Sequence, residues 1–300
     1  MPNKPVVGLG QASIDFIGRI SHFPKSDTKC EFTGLTIQGG GPAATAMVTV
    51  QKLGLPAVFI GAVGDDEFGP RIRQGLADEG VDVSHVRVRP GGQSQMAFIA
   101  VEPGGRRTIF WQRAVDAGLE PADLDLAVIR QAQVLHVDGL MIEASLAAAE
   151  TARQAGVPVV FDAGTLRDGY LDLARKTDYL ICSETFFRQF HPGRDEREGL
   201  KQLRELGPKH VVVTLGVNGS LGYDGRNIHR QKAFAVNALD TTGAGDVYHG
   251  AYIYALVRGD SMETCMRFAS AVAALKCTKI GGRTGIPTVD EAESFLRTAE

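Results

Sequence analysis

As far as residue 216 the chain is punctuated by short runs of aliphatic and β-branched residues. They fall at 5–11 (PVVGLGQ), 57–63 (AVFIGAV), 133–140 (QVLHVDGL), 157–164 (VPVVFDAG), 178–183 (DYLICS) and 210–216 (HVVVTLG). Each run is continuous rather than alternating, as in strands covered on both faces of a parallel sheet. Between them apolar positions recur at helical spacing, predicting helices over 42–53, 67–79, 142–155 and 197–206. Each of these stops at a glycine: Gly54, Gly80, Gly156 or Gly207. Strand, helix, strand at this rhythm gives right-handed βαβ units and a doubly wound α/β fold, mostly parallel, with helices on both faces.

Two stretches break the rhythm. Residues 12–36 and 92–111 alternate apolar with polar, the second around an EPGGRR turn, as antiparallel strands do. Neither is long enough for a domain of its own. Both therefore predict a small β-sheet projecting from a single body that spans 1–300, usable as a lid or a dimer surface. Composition adds exclusions. With 32 basic and 35 acidic residues the net charge is -3, so no basic face for nucleic acid is expected. No apolar run approaches the length of a membrane span. The four cysteines, Cys30, Cys182, Cys265 and Cys277, form no C-x-x-C pair and read as free thiols. A cytoplasmic protein is expected.

The chemistry concentrates in ALDTTGAGDVYHGAYIYAL, residues 238–256. A helix start exposes unpaired N–H groups and partial positive charge, and glycines let an anion approach them closely. Gly243, Ala244 and Gly245 thus make a cradle for phosphate oxygens. Asp246 follows in the first turn, where its plain structural role is to complement the helix dipole. Yet a carboxylate beside an anion cradle repels the same anion, unless it binds a metal or takes a proton from an attacking hydroxyl.

DTTGAGDVYHGA resembles the C-terminal signature of the ribokinase-like pfkB carbohydrate kinases, and GGGPAATAMVTVQKLG (39–54) resembles that family's glycine-rich N-terminal signature. The likeness extends over the whole chain, through TLGVNGS to GGRTGIP. It implies an ATP-dependent kinase with Mg²⁺, acting on a hydroxyl of a small sugar. Asp246 would be the general base and Gly243, Ala244 and Gly245 the anion hole. Asp15, placed at the end of the first strand, would hold sugar hydroxyls with Gly40 and Gly41. Thr214, Gly216 and Gly219 would line the nucleotide site; their plain structural reading is a strand end followed by a hairpin turn, which holds best for Gly219. Arg107 and its neighbour Arg106, in the lid hairpin, would reach an anionic group. Asp240 and Thr242, with the loop at Gly281 and Gly282, correspond to a region that binds a monovalent cation in many members, which makes K⁺ a candidate. His136 and His249 read as packing or surface residues. The lid sheet implies a homodimer.

Three departures sharpen the likeness. Thr45 stands where the family carries asparagine on the first helix. Ser183 and Phe186 replace the asparagine and glutamate of the N-x-x-E motif that helps place magnesium, with Glu184 the nearest acid. GGGPAATA together with RFASAVAALKCTKIGGRTGIP is similar to the sulfofructose kinases, which phosphorylate the C1 hydroxyl of 6-deoxy-6-sulfofructose. In that branch a lid lysine holds the sulfonate, a place that Lys29 takes here. Trp111 and Gly139 stand where an amide and an arginine are expected. A fructokinase or ribokinase acting on a neutral sugar is the alternative substrate class. Two other classes remain: a catalytically idle sensor on the same fold, and a dinucleotide-binding dehydrogenase. Against the last, GLGQAS lacks the third glycine, the following helix and the distal acid.

Overall fold

A computed structural model describes residues 4–193 and 195–299. Its main sheet has nine strands in the order β13-β12-β11-β10-β9-β8-β1-β4-β5. The parallel strands are β1 (Val6–Leu9), β4 (Ala57–Gly64), β5 (Val86–Arg89), β8 (Val134–Val137), β9 (Val159–Ala163), β10 (Tyr179–Ser183) and β11 (His210–Thr214). A hairpin, β12 (Ser220–Tyr223) and β13 (Ile228–Gln231), closes one edge antiparallel.

Neighbouring residues of these strands point to opposite faces, and each face has its own core. Val6, Phe59, Val160, Ile181 and Val212 pack under helices α1 (Pro42–Lys52), α8 (Ala244–Val257) and α9 (Met262–Lys276). Val7, Leu9, Leu135, Phe161, Leu180 and Val211 pack under α4 (Ile142–Gln154), α5 (Tyr170–Ala174), α6 (Glu184–Phe190) and α7 (Glu196–Glu205). The remaining helices are α2 (Phe68–Asp78), α3 (Leu126–Arg130) and α10 (Val289–Thr298). Burial of this kind, at roughly 25 cal/mol per Å² of apolar area, is what holds a doubly wound sheet together.

The second sheet has four strands in the order β3-β2-β6-β7: β2 (Ser13–Arg19), β3 (Thr33–Gly40), β6 (Met96–Val101) and β7 (Arg107–Gln112). The EPGGRR segment turns β6 into β7 as an antiparallel hairpin, while β2 and β6 pair in parallel. Alternation divides this sheet cleanly. The pairing sets Gln38, Asp15, Ala97 and Trp111 in one row and Ile37, Phe16, Phe98 and Phe110 in the next. Asp15, Ala97 and Trp111 line the large cavity between the two sheets, whereas Ile37, Phe98 and Phe110 are exposed.

One sequence expectation is corrected here. Asp15 does not end the first strand: β1 stops at Leu9, and the chain passes through Gly10 and into β2 of the second sheet. The apolar run 5–11 and the following ASID were too short a gap apart to separate by pattern, so two strands of two sheets read as one.

Candidate active site

The cavity has a volume of about 550 Å³ and opens where the C-terminal ends of β9, β10 and β11 meet the start of α8. This is where ligands of open α/β sheets bind. Gly243, Gly245 and Asp246 line it. Gly243 precedes α8 with φ 70°, and a Cβ there would press on the backbone of Gly282, so both conformation and space call for glycine. No side chain caps α8; the Ala244 N–H goes to the Thr241 carbonyl. Among the described residues the Gly245 and Asp246 amides have no protein acceptor, and they open onto the cavity.

Around this helix start lies a group of buried charges. Burial raises the Asp246 carboxyl above its ordinary value, opposed by His249, Arg107, Lys276 and Arg283. Asp162, at the end of β9, is pushed by burial to about 7, with His249 pulling it back. His249 Nε2 lies 3.4 Å from Asp162 Oδ1, while its Nδ1 meets the Gly245 carbonyl at 2.7 Å. Asp138, just beyond β8, is raised to about 6 by burial. It nonetheless accepts the N–H groups of Gln11 at 2.7 Å and Leu140 at 3.0 Å, and braces the first turn of α1 through Ala43.

Asp15 is raised to about 6, burial outweighing the 2.7 Å hydrogen bond from Ser13 and the field of Arg283. A Cβ on Gly40 would overlap its carboxylate, so the bare backbone of β3 is what admits it. Arg283, 4% exposed, donates to the Gly40 carbonyl at 2.9 Å and to Thr45 Oγ1 at 3.2 Å. Arg283 thereby fastens the GGRTGIP loop to both glycine-rich β3 and α1. The lid hairpin closes over the site: Arg107 donates to Thr241 Oγ1 at 3.1 Å, and the Gly105 carbonyl accepts from the Thr241 hydroxyl at 2.9 Å. Lys276, fully buried at the end of α9, donates to the carbonyls of Asp240, at 3.0 Å, and Thr242. Its ammonium is pulled down by burial and supported by Asp240.

Residues 3–289 match the model of the pfkB family carbohydrate kinases. The chain belongs to that family. A ribokinase of Haemophilus influenzae is 30% identical over 99% of this chain and 99% of its own. An ATP-dependent ribose-1-phosphate kinase of Halopiger xanaduensis is 28% identical over 97% of each. Among solved structures, Arabidopsis thaliana ribokinase complexed with ribose and ATP superposes with a TM-score of 0.86 at 28% identity, covering 98% of this chain and 99% of that one. The pfkB protein described here is thus an ATP-dependent carbohydrate kinase on a ribokinase-like fold. A dehydrogenase is set aside: β1 runs straight into the second sheet, with no helix after GLGQAS.

The pfkB signatures converge on the cavity. Asp15, Gly40, Gly41, Thr45 and Arg107 line it together with Thr214, Ser183, Thr242 and the helix start. Other anticipated residues stand elsewhere. Lys29 is exposed on the loop between β2 and β3 and does not line the cavity. Glu184 faces Arg188 at 3.6 Å on the surface of α6, and Gly216 and Gly219 shape the turn from β11 into β12. The Ser183 hydroxyl caps α6 at Phe186 and donates to the Gly164 carbonyl. Asp240 binds the amides of Thr242 and Gly281, each at 2.8 Å, so its carboxylate is committed to the loop. Several lining residues went unnoticed in the sequence: Asp162, Gln11, Gln95, Arg113 and Arg167. Only Asp162 carried a signal, a lone carboxylate closing an apolar strand. No helix of the described residues is long and apolar enough to cross a membrane.

Proposed function

We propose that this kinase transfers the γ-phosphoryl group of ATP to a primary hydroxyl of a small sugar bearing an anionic substituent. 6-Deoxy-6-sulfofructose, attacked at C1, is one member of that class. The observation that carries the reading is the coincidence, inside one cavity, of unclaimed α8 amides and the Asp246 carboxylate. The hydroxyl oxygen attacks the γ-phosphorus, its proton passes to Asp246, and ADP departs. Burial raises the Asp246 carboxyl above its ordinary value, which makes it a stronger proton acceptor than an exposed carboxylate. The Gly245 and Asp246 amides face the charge that grows on the transferring group, a stabilisation already in place before reaction. Asp15 and the Gly40–Gly41 backbone hold the sugar hydroxyls, and Thr214 lies on the nucleotide side. Mg²⁺, when bound, would neutralise phosphate charge. Among the described residues no cluster of His, Cys, Asp and Glu is built to hold a metal, so it would ride mainly on phosphate oxygens and water.

The anionic substituent is supported by Arg113 and Arg167, which line the cavity, lie within electrostatic reach of the Tyr170 hydroxyl and have no ion-pair partner among the described residues. Lys29 joins them only if its loop folds inward or a second copy supplies it. The name of the ribose-1-phosphate kinase fits such a substrate; that of the ribokinase fits the alternative, a neutral sugar. ADP release across neutral, phosphorylated and sulfonated pentoses and ketohexoses tests this. Equal specificity for neutral and anionic sugars removes the anionic assignment, and no turnover on any sugar favours the idle sensor. The second sheet is also read as a homodimer surface, its exposed row of Ile37, Phe98 and Phe110 meeting a second copy. Light scattering showing a monomer defeats this.

A further inference from the structure

The loop that delivers the chain into α8 is held by a charge of its own. Its carbonyls at Asp240 and Thr242 point at one buried ammonium, that of Lys276. The same lysine ends α9, where the helix dipole favours a cation. The next residue reinforces the tie, because the Cys277 carbonyl accepts the amides of Leu239, at 2.8 Å, and Asp240, at 3.2 Å. Thr241, between the two carbonyls, carries the lid contacts of Gly105 and Arg107. The K⁺ expected at Asp240 and Thr242 therefore does not fit: their carbonyls already accept from a tethered ammonium, and the Asp240 carboxylate accepts two amides.

We propose that Lys276 is a built-in monovalent cation, a positioning residue that fixes the Asp240–Thr242 loop and the α8 amides without any dissolved ion. An ammonium carries the same unit charge as K⁺ and meets carbonyl oxygens through three donors. Being covalently attached, it needs no ion concentration to stay in place. It touches no reacting atom. Its work is to set where the first turn of α8 lies, and displacement of such groups by about 1 Å costs roughly a hundredfold in rate.

This inference rests on the kinase reading, and its test separates the two. Turnover by the full-length enzyme is measured with KCl, with NaCl and with tetramethylammonium chloride, whose cation is too bulky for the site. Wild type is expected to vary by less than about twofold, and its melting temperature to ignore the choice of salt. Lys276→Met is expected to lose roughly ten- to hundredfold in kcat with KM for sugar nearly unchanged. KCl or ammonium chloride should restore most of that loss and raise the variant's melting temperature, whereas tetramethylammonium does neither. Stimulation of wild type several-fold by KCl overturns the proposal, as does a folded Lys276→Met that neither salt restores. If Lys276→Met does not fold, the wild-type salt comparison decides alone. Absence of turnover in every salt would count against the kinase reading instead.

Discussion

Around the start of α8 the side chains of Asp138, Asp240, Lys276 and Arg283 are buried and bonded to backbone, and buried Asp162 faces His249, whereas Arg113 and Arg167 on the cavity rim stand exposed. The buried group is costly to assemble, since each charge has given up water, and it tolerates little change. The exposed arginines cost little, Arg113 resting over the Trp111 ring at 4.9 Å. On the function proposed above, the difference separates chemistry from selection: the transfer step falls to the interior, and the choice of sugar to side chains that can vary without disturbing the fold.

The sharpest way to break that contrast is at Asp246. Asp246→Asn keeps shape but removes the base, so kcat should fall about 10²–10⁴-fold while calorimetric ATP affinity stays near wild type. Near-normal turnover would move the chemistry elsewhere. Next is Arg283→Met, which leaves the Asp15 carboxylate without its counter-charge and the Gly40 carbonyl without a donor. A loss of about 1–3 kcal/mol in urea unfolding is expected, the range for leaving a buried acceptor unsatisfied. A loss as small as that of a surface substitution would mean the interior is not as constrained as its geometry implies.

The pH response should differ in sign between activity and stability. The base proposed above, Asp246, must be ionised to act and its pKa is raised, so kcat/KM should fall on acidification at a pH above the ordinary carboxylate range. Asp15 and Asp162 hold protons more tightly folded than unfolded, being raised to about 6 and about 7. Their contribution to stability is full below the unfolded value of about 4 and is lost as pH rises through 6 to 7. Asp162→Asn should therefore flatten the decline in melting temperature between about pH 5 and pH 8. An unchanged slope would place that proton elsewhere. The smallest effect belongs to the rim: Arg113→Ala should raise KM for an anionic sugar about two- to fivefold, as an exposed ion pair allows, and leave a neutral sugar untouched.

Much of the framework was legible because burial on two faces writes a continuous apolar run. β4, β9, β10 and β11 fall within one or two residues of their runs, and α1, α2, α4 and α7 within one of their predicted ends. The hairpin β6–β7 was announced by its PGG turn. Its parallel pairing with β2 was not, because strand partners distant in sequence leave no local trace. The same limit hid the carboxylates. Asp162 ends an apolar run as any polar residue closing a strand does, and only the neighbouring strands show that it faces a cavity. Lys276 drew no reading of its own from the sequence, because its carbonyl partners lie 34 and 36 positions away. GAGD was visible because it packs the anion cradle and the base into four consecutive residues.

Thr241 gives the closed hairpin a further meaning. Its hydroxyl receives Arg107 and reaches Gly105, while its flanking carbonyls grip Lys276. The hairpin wall of the cavity and the segment that leads into α8 are thereby a single hydrogen-bonded unit.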